Sequence, residues 1–123
     1  MIVGYNDEII DIKFSKTIQS DYFLMITNSP NAKIMNRNTH GLHCLLQGHK
    51  ELLLCGEYWH PWIATAGKDK VIKLWKINEV GKPMLVANYH GHGDDVCGLG
   101  LLGRSHMLVS VGEDRTIKIW SLV

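Results

Sequence analysis

The sequence predicts an all-β fold of about three repeated, four-stranded antiparallel units, and three observations predict it. First, Asp69-Lys70-Val71-Ile72-Lys73-Leu74-Trp75 returns 45 positions later as Asp114-Arg115-Thr116-Ile117-Lys118-Ile119-Trp120. Second, a Gly-His pair stands upstream of each copy, Gly48-His49 and Gly91-His92, 43 positions apart. Third, short apolar runs alternate with period two between Gly, Asn, Asp and Pro clusters, and no segment of convincing length carries a helical period. A repeat of about 40 to 45 residues with four short strands is the period of a β-propeller blade. Such a small sheet cannot bury both faces alone and stacks on its neighbours.

The first unit, residues 4–47, opens on the polar turn Gly4-Tyr5-Asn6-Asp7-Glu8. Ile10, Ile12 and Phe14 then alternate with Asp11 and Lys13, the pattern of a half-buried strand. Runs 22–26 and 32–35 flank the breaker cluster Asn28-Ser29-Pro30-Asn31 and read as two strands joined by a tight turn. Residues 40–46 supply a fourth. In the second unit, 48–90, strands are expected at 51–55, 62–66, 71–75 and 84–87, with turns at 57–61 and 67–69. The third unit, 91–123, offers strands at 95–101, 106–111 and 116–120 and stops one strand short. The runs 51–55 and 96–100 are apolar and small, which suits the crowded strand nearest the propeller axis.

Composition narrows the function. Hydrophobic residues make up 46% and charged residues 20%, a globular balance that excludes a disordered tail. Thirteen Lys and Arg face twelve Asp and Glu, so a net charge of +1 gives no global pull toward nucleic acid or membrane. Cys44, Cys55 and Cys97 are odd in number, far apart and set in apolar runs; buried reduced thiols in an intracellular protein are expected. Met1-Ile2-Val3-Gly4 lacks the form of a secretory signal, and no apolar run approaches the roughly 18 residues of a membrane span.

The second and third units resemble WD40 repeats, on the motifs running from Gly48-His49 to Trp75 and from Gly91-His92 to Trp120. The resemblance implies one hydrogen-bonded set per unit: His49, Thr65, Asp69 and Trp75, then His92, Ser110, Asp114 and Trp120. The spacing agrees, since the hydroxyl residue precedes the Asp by four positions in both. A buried carboxylate is tolerable only with several donors, and imidazole, hydroxyl and indole supply them. The first unit departs from the pattern, with Tyr5 for the histidine, Ser29 near the Asp position and Met35 for the Trp.

Four further stretches are similar to one branch of that family: residues 4–11, Thr27-Asn28-Ser29-Pro30, Leu46-Gln47-Gly48-His49 and Ala66-Gly67-Lys68-Asp69-Lys70. That branch is the transducin beta-like WD-repeat subunit of the UTP-B module of the small-subunit processome, which associates with U3 small nucleolar RNA. The likeness runs over residues 4–122. It implies a nucleolar scaffold for ribosomal RNA processing, with no catalytic role and no cofactor. It also implies contacts with other WD-repeat subunits and proximity to U3 and pre-ribosomal RNA. Members carry two propellers and a C-terminal segment, of which this chain has about three blades. A generic WD40 interaction module, such as a ubiquitin-ligase substrate adaptor or a G-protein-beta-like scaffold, has the same repeat.

The remaining candidates divide between chemistry and packing. A Ser-His-Asp set also suits a hydrolase, but here it recurs in two units beside a Trp with no strained nucleophile turn; a structural network is the expectation and no catalytic residue is assigned. No pairing of the seven histidines with the cysteines has zinc-site spacing, so no metal is expected. Lys68, Lys70 and Arg115 are candidates for RNA phosphate, against the reading of a solvated strand face. Tyr58 and Trp59, in Tyr58-Trp59-His60-Pro61-Trp62, are candidate protein contacts, against core packing. Three blades cannot close a ring of roughly four to eight, so the remaining blades are expected in cis if the chain is a fragment, and self-association otherwise.

Overall fold

The computed structural model describes residues 8–15 and 20–122. Among them lie three antiparallel sheets, each in chain order. The first holds β1 (Ile9–Lys13), β2 (Tyr22–Thr27), β3 (Ala32–Asn36) and β4 (Leu42–Leu46). The second holds β5 (Leu53–Trp59), β6 (Trp62–Gly67), β7 (Ile72–Ile77) and β8 (Pro83–Tyr89). The third holds β9 (Val96–Leu102), β10 (Met107–Gly112) and β11 (Ile117–Ser121), with a 3-10 turn at Gly103–Ser105 after β9. This is the all-β, partial-propeller architecture the repeat predicts.

Alternation along each strand decides how the sheets stack. In β6 and β7, Ile63, Trp75 and Ile77 look toward the first sheet and join Leu24, Ile26, Ile34 and Leu53 in one core. Ala64, Ala66, Ile72 and Leu74 look the other way and meet Val96, Leu101 and Leu108 in a second core. The middle sheet is thus buried on both faces, the arrangement that lets a sheet this small hold its shape. Gly56 marks one close approach, since a Cβ there would lie 2.9 Å from both Ile26 Cδ1 and Leu24 Cδ2.

The third sheet buries only one face. Ile72 and Leu74 are 0% exposed, whereas Ile117 and Ile119, at the same positions of the next repeat, are 72% and 66% exposed. Leaving two such side chains in water forgoes about 3–6 kcal/mol of burial. Cys97 is exposed while Cys55 is buried and Cys44 intermediate, all three as free thiols. The expectation of buried thiols therefore fails at Cys97, because period two assigns a residue to a face and does not say whether that face is covered.

Local boundaries also differ from expectation. The turn foreseen at 57–61 shrinks to His60 and Pro61, because β5 continues through Trp59 and pairs Trp59 with Trp62. Residues 51 and 52 precede β5 instead of opening it. His40 turns in a left-handed conformation, φ 61°, so the fourth strand starts at Leu42.

Candidate functional site

The turn between the second and third strands of each later sheet brings four predicted residues together. In the second sheet, His49 Nδ1 lies 2.7 Å from Asp69 Oδ2, and its Nε2 lies 2.8 Å from Thr65 Oγ1. Trp75 Nε1–H donates to the same hydroxyl oxygen at 3.0 Å. In the third sheet, His92 Nδ1 lies 3.0 Å from Asp114 Oδ2, its Nε2 2.7 Å from Ser110 Oγ, and Trp120 Nε1–H donates to Ser110 Oγ at 2.9 Å. One assignment satisfies every proton: the indole donates to the hydroxyl oxygen, the hydroxyl to imidazole Nε2, and Nδ1–H to the carboxylate. A neutral imidazole fits that chain, and burial pushes the His49 pKa below its ordinary value although Asp69 opposes this.

Each carboxylate also folds its own turn. Asp69 Oδ1 accepts from Val71 N–H at 3.2 Å and Oδ2 from Lys50 N–H at 3.2 Å. Asp114 accepts from Gly93 N–H at 2.8 Å, Thr116 N–H at 3.1 Å and Thr116 Oγ1–H at 2.7 Å. The Thr116 hydroxyl and the Gly93 amide, with help from His92, hold the Asp114 carboxyl far below the usual carboxylate range. The sequence reading missed Thr116, whose place two residues after Asp114, where a short side chain meets the turn, is the signal that marks it as a donor. Lys70 and Arg115 follow the two aspartates in the same left-handed conformation, φ 67° in both. They and Lys68 are exposed at the sheet rims.

Catalysis asks for a reachable nucleophile, and Thr65 and Ser110 are both 0% exposed. What the two sets can do is fasten a turn to the strand behind it and orient the Trp.

The first sheet fills the same register differently. Thr65 pairs with Lys73 and Ser110 with Lys118, and the matching pair is Met25 with Lys33. Ile63 pairs with Trp75, Leu108 with Trp120, and Phe23 with Met35. Phe23, Met25 and Met35 form a buried apolar cluster of their own. Ser29 Oγ still accepts from Asn31 N–H at 3.2 Å, the turn bond that Asp69 and Asp114 make. Tyr5 and Gly4 lie outside the described residues.

The aromatic stretch needs a correction. Tyr58 is 1% exposed and belongs to the core between the first and second sheets, so it offers no surface to a partner. Its hydroxyl is held 2.7 Å from Ser20 Oγ and 2.7 Å from His60 Nδ1, a non-local set that spacing in the sequence does not reveal. Trp59 is half-buried and packs on the core between the second and third sheets. An ion pair missed by the sequence reading joins β1 to β5, with the half-exposed Lys13 Nζ 3.2 Å from Oε1 of the buried Glu57.

Stacked antiparallel sheets of three or four strands, two of them carrying a His–hydroxyl–Asp–Trp set, define a propeller-blade interaction module. The model of the WD domain, G-beta repeat, matches residues 42–76 and 83–121, and the chain belongs to that family. The first match begins at β4, so the sequence repeat is staggered by one strand from the sheet. The chain is 32% identical over 97% of its length to Transducin beta-like protein 3 of Mus musculus and 29% identical over 97% to that of Homo sapiens. It spans 15% of the length of each. Nuclear distribution protein nudF of Emericella nidulans is 38% identical over 50% of the chain, which spans 13% of that protein. WD repeats serve as platforms for protein–protein interaction and are generally not enzymes.

Proposed function

We propose that the chain is a WD-repeat scaffold of the small-subunit processome that supports pre-ribosomal RNA processing and 40S assembly through contacts with other WD-repeat proteins. One observation carries the reading. Similarity to Transducin beta-like protein 3 extends over 97% of the chain, whereas the generic repeat model matches only from residue 42. The likeness therefore includes the degenerate first sheet, where common WD motifs have nothing to contribute. The proposed blades run 4–47, 48–90 and 91–123, and the chain acts in the nucleolus without catalysis. The uncovered face of the third sheet supports a further sheet packed there, from remaining blades in cis or from a second copy. The exposed cations Lys68, Lys70 and Arg115 are proposed to touch RNA phosphate, and Trp59 to border a protein contact.

The test is native purification of the tagged chain from cells, with mass spectrometry for proteins and hybridisation for U3. Processome WD-repeat subunits and U3 are expected together, with nucleolar staining. Recovery of a cullin ligase in their place would overturn the reading and favour a substrate adaptor.

A further inference from the structure

The hairpin joining β5 and β6 carries a surface that the repeat does not require. Trp59 and Trp62 form its last cross-strand pair, both half-buried, with His60 and Pro61 as the turn between them. A depression lies on either side of His60 and Pro61, which form a shared wall. The larger, about 590 Å³, is lined by Pro61, by Val80, which is 75% exposed, and by Lys76 and Glu79, with Ile77 behind them in the core. The smaller lies between Trp59, Trp62, Gly103 and Arg104. Gly103 is glycine for a steric reason, because a side chain there would run into the Trp59 ring.

Charge sets what fits. The Lys76 ammonium stands 5.1 Å over the Trp62 ring, and Arg104 is exposed beside the same Trp pair. Among the described residues neither cation has a carboxylate within ion-pair reach. An anion beside either one would gain a charge-assisted partner next to a half-buried indole, where screening by water is reduced. Glu79 would repel an anion deeper in the larger depression, so an aliphatic group is the better match for Pro61 and Val80. A nucleic acid fits less well: Lys76 already covers the Trp62 face on which a base would stack, and Glu79 opposes a run of phosphates.

We propose that this hairpin surface binds an extended acidic peptide of a partner protein, with one carboxylate beside Lys76, another beside Arg104, and an aliphatic side chain between them against Pro61 and Val80. The surface stands whichever assembly the chain joins. The test is fluorescence anisotropy of a labelled eight-residue peptide alternating Glu and Leu, titrated with the full chain. Saturable binding is expected. Lys76→Glu or Arg104→Glu weakens it about tenfold, and the doubly reversed variant instead prefers the peptide with Lys for Glu. Both side chains are exposed, and thermal melting checks that the variants remain folded. Absence of saturable binding by the parent, or binding indifferent to both reversals, would overturn the proposal. So would an oligouridylate of equal length that outcompetes the peptide and is itself lost on reversal.

Discussion

The second and third sheets fasten their turns with imidazole, hydroxyl, carboxylate and indole, whereas the first fills the same register with Phe23, Met25 and Met35 and, among the described residues, holds its turn with the Ser29 bond and with an Asn28 side chain that accepts from Glu8 N–H. Both arrangements close a four-stranded or three-stranded blade of the same pairing. The difference teaches that the polar set is a unit. A hydroxyl without its imidazole and indole would be a buried orphan, but exchanging hydroxyl and indole together for thioethers leaves nothing unpaired. Half-measures are the costly ones.

Truncating the shared Trp/Met position should break the comparison hardest. Trp75→Ala is expected to cost about 3–5 kcal/mol and Met35→Ala about 2–5 kcal/mol, read from urea midpoints. A smaller loss at Trp75 than at Met35 would mean that the indole bond to Thr65 adds nothing to packing. Next come the network members. Asp69→Ala and His92→Ala should each destabilise by about 1–3 kcal/mol, since each strands buried or half-buried partners, and Asp114→Ala should shift stability in the same direction. Thermal melts indistinguishable from the parent would remove the network as a source of stability.

Acid should sharpen the contrast further. Burial holds the folded His49 below its ordinary pKa of 6.5, so the unfolded chain binds that proton more readily. The stability His49 contributes is present in full above about pH 6.5 and is lost as pH falls below it toward the folded value. Burial lowers His60 as well, so the measurement is the difference between parent and His49→Asn in melts at pH 7.5 and 5.5. The parent should lose more on acidification. An equal slope would mean that His49 does not discriminate between the two protonation states.

The smallest effects belong to the first sheet. Ser29→Ala removes a single turn bond and should cost about 0.5–1.5 kcal/mol. Thr27 Oγ1 is buried with no hydrogen-bond partner among the described residues, so Thr27→Val should leave the urea midpoint unchanged or raise it. A marked loss on Thr27→Val would show that the hydroxyl has a partner after all.

What the sequence made legible was whatever hydrogen bonding forces into fixed residue types. Thr65 and Asp69, then Ser110 and Asp114, repeat their spacing because a turn of fixed length must return the carboxylate to the histidine. Packing leaves a weaker trace. Met25 and Met35 carry no signature, since many apolar residues of their volume would fill the cluster. Tyr58 stood as a candidate contact beside the core-packing reading because its partners, Ser20 and the first-sheet core, are distant in the chain. Cys97 looked buried because its strand is apolar, and only the tertiary arrangement shows that the neighbouring face is bare.

The middle sheet lends one face to each of the two cores between sheets, so it has a neighbouring sheet on both sides and each outer sheet has one. Such an array loses order from an end inward, as a zip does, and an outer sheet can detach while its neighbour keeps one supporting core. Opening the middle sheet first would surrender both cores together. The central strands are therefore the last to yield, and the exposed rim beside them can adapt to a partner at little cost to the whole.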